Sequence, residues 1–219
     1  MSFYISDHSA RSRSTLWFNY SLRTFTTMPP SISPLFVFLI HTVAPVLATQ
    51  RCPSATIDSG PIVGTSTSVP GSPFTVNKFL GIPFAAPPVR FKAPEPPVPW
   101  DSVYNASTYR PSCIQQFDYP EENRKRLIEW TSTPGPPAGE SEDCLNLNVF
   151  TPTSGEKAKA VLFWIHGGSF SYGSGSLPYY DGSWFASNHD VVVVTINYRT
   201  NVLGFPGSPA LPKHERNLG

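Results

Sequence analysis

Two continuous apolar runs constrain this chain more than any other feature: Ala160 to Ile165 (AVLFWI) and Val191 to Ile196 (VVVVTI). Neither run has a polar face. A strand with one side in water alternates between apolar and polar residues, whereas central strands of a sheet covered on both faces read as unbroken apolar stretches. About 25 residues separate the runs, enough for a crossover that contains a short helix. The expected fold class is therefore α/β, with a mostly parallel central sheet and helices on both faces. The first run empties into His166-Gly167-Gly168-Ser169-Phe170. That places a glycine-rich turn at the carboxyl end of a buried strand, where open α/β sheets form their binding crevices.

Charge excludes two classes of partner. The formal net charge is +1 and 14% of residues are charged, against about 25% in an ordinary soluble domain. Such a surface holds no electrostatic footprint for nucleic acid or for an anionic membrane, and neither is expected as a partner. The 40% hydrophobic content, with 15 Phe, suffices for a packed core, while 25 Pro and 15 Gly call for many turns. A length of 219 residues suits one ordinary domain or a large α/β domain cut short.

The chain divides into three stretches: an N-terminal extension over 1–27, a signal peptide over 28–48, and the folded part over 49–219. Leu35 to Leu47 reads LFVFLIHTVAPVL and leads to Val46, Leu47 and Ala48, the small-residue pattern of secretory cleavage. His41 and Pro45 interrupt the run, which falls short of the roughly 20 apolar residues needed to cross a bilayer. No stable membrane span is expected, and the chain is read as secreted. Met28 is as good a start as Met1. In an oxidising compartment three cysteines allow one disulfide and leave one thiol. Asn105-Ala106-Ser107 is an acceptor triplet for N-glycosylation, which has meaning only in a secreted chain.

Local patterning fills in the rest. Phe74 to Leu80 (FTVNKFL) has the composition of a short outer antiparallel strand bounded by breakers. Prolines recur from Pro83 to Pro99 and mark an extended surface strap. Glu121 to Trp130 suits a short solvent-facing helix. Leu145, Leu147 and Val149 alternate with Asn146 and Asn148, the period of a half-buried strand.

The Gly-Gly turn is the one element that carries chemistry. Without side chains in the way, its backbone N–H groups can face a crevice, as an anion or oxyanion site requires. The same dipeptide also suits a plain tight turn or a phosphate cradle, although neither G-x-x-x-x-G-K-[ST] nor G-x-G-x-x-G occurs in the chain. His189 and His214 follow no catalytic or metal spacing, and no cofactor or metal is expected.

Four segments occur in order: GIPFAAPPVRFKAPEPP, SEDCLNLNVFTP, WIHGGSF and TINYRTNVLGFPGSPALP. Together they resemble the type-B carboxylesterase, lipase and cholinesterase family, almost continuously from Phe79 to Gly219. The resemblance implies an α/β-hydrolase fold, incomplete at its C-terminal end, acting on ester or lipid substrates. It implies that the backbone N–H groups of Gly168 and Ser169 are two oxyanion-hole donors, the third coming from the residue after the nucleophile. Ser169 stands where many members of the family carry a third glycine, so a Cβ limits how its N–H is aimed. By the same match Cys113 pairs with Cys144 to close a loop over the active-site entrance. Arg90 and Glu142 form a buried ion pair, and His166, Asn197, Tyr198 and Arg199 are structural. Trp130, inside the closed loop, either packs or faces substrate.

No G-x-S-x-G nucleophile elbow occurs in the 219 residues, so the Ser, acid and His of a serine hydrolase are absent and the chain alone is expected to be inactive. Three readings stand: part of a secreted carboxylic-ester hydrolase, a cholinesterase-like binding or adhesion protein without a triad, and an inert truncated product.

Overall fold

A computed structural model describes residues 52–116, 120–123, 125–126, 138–155, 158–213 and 216–219. The stretches 1–27 and 28–48 lie outside the described residues, as do Trp130, His214 and most of the segment 121–130. Of that segment, residues 121–123 and 125–126 are helical.

The chain first makes a hairpin from β1 (Ser54–Ile57) and β2 (Gly60–Val63), and β5 (Tyr104–Asn105) joins β2 in parallel to form a three-stranded sheet. The larger sheet contains β3 (Thr65–Ser68), β4 (Thr75–Pro83), β6 (Asn146–Pro152), β7 (Val161–Ile165) and β8 (Val192–Ile196), in the order β3-β4-β6-β8-β7. A 3₁₀ turn at Pro178–Tyr180 and helix α1 (Ser183–His189) lie in the crossover from β7 to β8; α2 (Asn201–Gly204) follows β8.

In the larger sheet only β7 and β8 pair in parallel; β3 with β4, β4 with β6, and β6 with β8 are antiparallel. The expectation of a mostly parallel sheet is corrected in this region. Unbroken apolar runs report that both faces are covered and say nothing about strand direction. Nor do helices cover both faces among the described residues. One face carries the small sheet, where Ile57, Ile62 and Ala106 pack with Phe79, Leu147, Val149 and Val194. The other carries α1, where Ala186 packs with Val76, Leu80, Phe150 and Val193.

Three strands differ from expectation. β4 is not an outer strand but lies between β3 and β6, with a register shift between Phe79 and Ile82. β6 is buried along its whole length rather than on one face, because Asn146 and Asn148 are taken up by internal hydrogen bonds. β7, expected at the centre, is the last strand among the described residues, and all five of its side chains are exposed. Between Phe84 and Val103 no strand or helix forms, as the prolines there dictate.

Candidate functional site

The crossover begins at the C-terminal end of β7 with the glycine-rich turn. Gly168 has φ +125°, and a Cβ there would fall on the Tyr172 carbonyl oxygen, so only glycine fits. The N–H groups of Ser171 and Tyr172 donate to the Gly168 carbonyl at 3.0 and 3.2 Å and close the turn. Among the described residues neither the Gly168 nor the Ser169 N–H has a hydrogen-bond partner.

Ser169 has φ +52° and Phe170 φ +61°. Both lie in the left-handed region, which costs a residue with a Cβ about 1–2 kcal/mol. The departure from a third glycine therefore appears in the structure as a backbone held in the conformation that glycine would take freely.

His166 precedes the glycines and is 3% exposed. Its Nδ1 lies 2.9 Å from the Gly167 carbonyl oxygen, its ring stacks on Tyr198, and the Tyr198 hydroxyl donates to the His166 carbonyl at 3.1 Å. Burial pushes its pKa below the ordinary imidazole value, against the smaller opposing effect of the Gly167 contact. The packed ring braces the turn. His189, at the end of α1, packs against the Trp184 and Phe185 rings.

A buried polar network holds the far limb of the crossover to the sheet. Asn148 accepts from the Gly81 N–H at 2.9 Å and donates to Thr195 Oγ1 at 3.0 Å and to the Gly175 carbonyl at 3.3 Å. Thr195 Oγ1 also donates to the Gly175 carbonyl, at 2.7 Å. Asn197 Oδ1 accepts from the Gly175 N–H at 2.9 Å and from Ser174 Oγ at 3.2 Å. The alternation of Asn146 and Asn148 with leucines suggested a solvated face; the partners of Asn148 lie 27 or more residues away in sequence and left no local trace.

Cys113 and Cys144 form a disulfide, and Cys52 is free and exposed. Arg90 meets Glu142 in a two-pronged ion pair, Nη2 to Oε1 at 2.5 Å and Nε to Oε2 at 2.8 Å. The pair is not buried as expected: the Arg90 side chain is 67% exposed and that of Glu142 34%. The proline strap runs over the surface, so its arginine does too, and a pair so placed adds little to stability. The hydrogen bond and charge of each partner still raise the Arg90 pKa and lower that of Glu142. Arg199, 4% exposed, donates through Nε to the Leu218 carbonyl at 2.7 Å and through Nη1 to the Lys92 carbonyl at 2.9 Å. Asn105 is exposed and its Oδ1 accepts the Ser107 N–H at 3.1 Å.

Among the described residues no group of three or more His, Cys, Asp or Glu side chains is gathered for a metal, and no helix is long and apolar enough to cross a membrane.

Strand β7 thus ends in a closed turn whose Gly168 and Ser169 N–H groups have no partner among the described residues, in a mixed α/β scaffold. The chain belongs to the carboxylesterase family, whose sequence pattern matches residues 51–218 and which implies the α/β-hydrolase fold. It is 41% identical over 167 residues to a cholinesterase of Mus musculus, covering 75% of this chain and 27% of that protein. It is 44% identical over 156 residues to a fumonisin B1 esterase of Sphingopyxis macrogoltabida, covering 69% and 26%. It is 46% identical over 133 residues to a para-nitrobenzyl esterase of Bacillus subtilis (strain 168), covering 59% and 25%. The chain thus spans about a quarter of the length of the curated relatives it matches.

Proposed function

We propose that these residues form the oxyanion-hole side of a secreted carboxylic-ester hydrolase. The observation that carries this reading is the pair of unpartnered N–H groups on Gly168 and Ser169 at the end of β7. During acyl transfer the carbonyl oxygen of an ester gains negative charge as the tetrahedral intermediate forms. Two amides aimed at that oxygen stabilise the transition state more than the ground state; one such donor is worth about 2.7–4 kcal/mol. A serine nucleophile, a His that takes and returns its proton and a carboxylate that orients the His complete the reaction. With no G-x-S-x-G among these 219 residues, those groups come from outside the sequence considered, and this chain by itself is inactive.

In this reading 28–48 directs secretion, Cys113–Cys144 forms as the chain is exported, and Asn105 carries a glycan. The exposure of Asn105 supports the last point. The substrate is an ester or a lipid. The second reading, a cholinesterase-like adhesion protein without a triad, is disfavoured by the turn itself, since a binding protein has no use for two unpartnered amides held at a cost in backbone strain.

Labelling the natural protein, isolated from its source, with a fluorophosphonate and mapping the modified peptide tests the proposal. A labelled serine outside these residues supports it. A folded natural product that takes no label favours the adhesion reading, and label on a serine within the chain overturns the assignment of roles.

A further inference from the structure

Gln115 grips the backbone of Gly173 with both ends of its side-chain amide: Oε1 accepts the Gly173 N–H at 2.5 Å and Nε2 donates to the Gly173 carbonyl at 3.0 Å. Nε2 also donates to the Cys113 carbonyl at 2.6 Å, and the Gln115 N–H donates to Glu140 Oε2 at 3.0 Å. One residue on, the Gln116 N–H donates to the Ser171 carbonyl at 2.8 Å. The segment after Cys113 therefore runs as a short rail along the limb of the crossover opposite Gly168.

That limb touches one peptide plane that matters. Gly173 has φ +116°, and a Cβ there would fall on the Gly167 carbonyl oxygen and on His166 Nδ1. The backbone of Gly173 thus closes on the Gly167 carbonyl, which also lies 2.9 Å from the imidazole. A trans peptide is rigid, so the direction of the Gly167 carbonyl sets the opposite direction of the Gly168 N–H. We infer that Gln115 is a positioning residue that, through Gly173 and the Gly167 carbonyl, aims the Gly168 N–H. The inference rests on the oxyanion-hole reading for its purpose, but the geometry it asserts does not depend on hydrolysis.

Because Gln115 is also bonded to the Cys113 carbonyl, the aim of this donor is tied to the disulfide-closed loop. No motif in the sequence marks this role; the only cue is a glutamine two residues after a disulfide cysteine.

The test uses the ¹⁵N-labelled 219-residue chain and its Gln115→Met variant, which keeps length and loses both polar contacts. The expected result is amide exchange at Gly173 faster by about tenfold or more, with displaced Gly168 and Ser169 amide resonances and unchanged protection in β6 and β8. Gln116→Met, at an exposed side chain whose backbone bond is retained, leaves all of these as they are. If Gly173 exchanges faster while Gly168 and Ser169 do not move, the bond is a local tie and the inference fails. Equal loss of protection across β6, β8 and the turn makes Gln115 a general stability contact and also overturns it. Should Gln115→Met not fold, Gln115→Asn, with the amide one methylene short, is read by the same criteria. An ester hydrolase whose Gln115 variant shows no effect, and a non-hydrolase whose variant shows all of it, remain distinct outcomes.

Discussion

The His166 imidazole lies nearly flat on the Tyr198 ring, with centroids 4.3 Å apart and planes 12° from parallel. Tyr198 leaves the end of β8 and His166 the end of the neighbouring parallel strand, so the stack ties the two loops at the carboxyl edge of the sheet.

The buried His166 binds its proton less readily than an unfolded histidine does, since its pKa is lowered by desolvation. Between the lowered value and the ordinary value of 6.5 the unfolded chain holds more protons, and stability falls as pH is lowered through that window. Urea unfolding of the chain at pH 7.5, 6.5 and 5.5 should show a declining midpoint, and His166→Gln should flatten that decline. An unchanged pH dependence in the variant would assign the loss to other groups.

Ser169→Gly should leave the fold intact and change stability by about 0–1.5 kcal/mol in the favourable direction. Release of left-handed strain, about 1–2 kcal/mol, is offset by the extra chain entropy of glycine, roughly 0.5–1 kcal/mol. Ser169→Val, with a branched Cβ at φ +52°, should instead destabilise by more than 1 kcal/mol on the order-of-magnitude costs of such positions. Thermal melts of the three proteins decide it; a more stable valine variant would mean that the turn has abandoned its left-handed conformation.

Reducing Cys113–Cys144, which closes a span with sequence separation 31, should cost roughly 3–4 kcal/mol by the loop-entropy argument. The double variant Cys113→Ser with Cys144→Ser should show the same loss in denaturant titrations, and Cys52→Ser none, because Cys52 is exposed and unbonded.

Asn148→Leu should destabilise by about 2–4 kcal/mol, since it strands the buried Gly81 N–H and removes a donor from the Gly175 carbonyl and Thr195. Calorimetry of this variant beside Asn188→Leu, at an exposed site of α1, separates a network effect from a generic one. Equal losses at the two positions would remove the network from the account.

Much of this arrangement is legible in the sequence, and the reasons for the rest are physical. β8 could be read from VVVVTI because both its faces are covered, and the glycine turn at the end of β7 because Gly168 occupies a conformation that excludes a Cβ. The apolar run of β7 reads as a central strand, and among the described residues it lies at the edge of the sheet with no neighbour beyond it. Strand direction was misjudged because β4, β6 and β8 reverse through long connections that leave no periodic mark. The roles of the β6 asparagines and Gln115 are not legible in the sequence because most of their partners are backbone carbonyls and amides, and hydrogen bonds to backbone carry no residue signature.

The exposed edge of β7 has a consequence for anyone handling the isolated polypeptide. Val161 is 61% exposed, Phe163 54% and Ile165 59%, and on the other face Leu162 is 38% and Trp164 41%. A strand with oily side chains on both faces and an open row of amides on its rim is a template for further strands. Such a preparation should behave as a colloid: its apparent melting point and light scattering are expected to track protein concentration, and dilution, rather than a change of salt, should restore a single species.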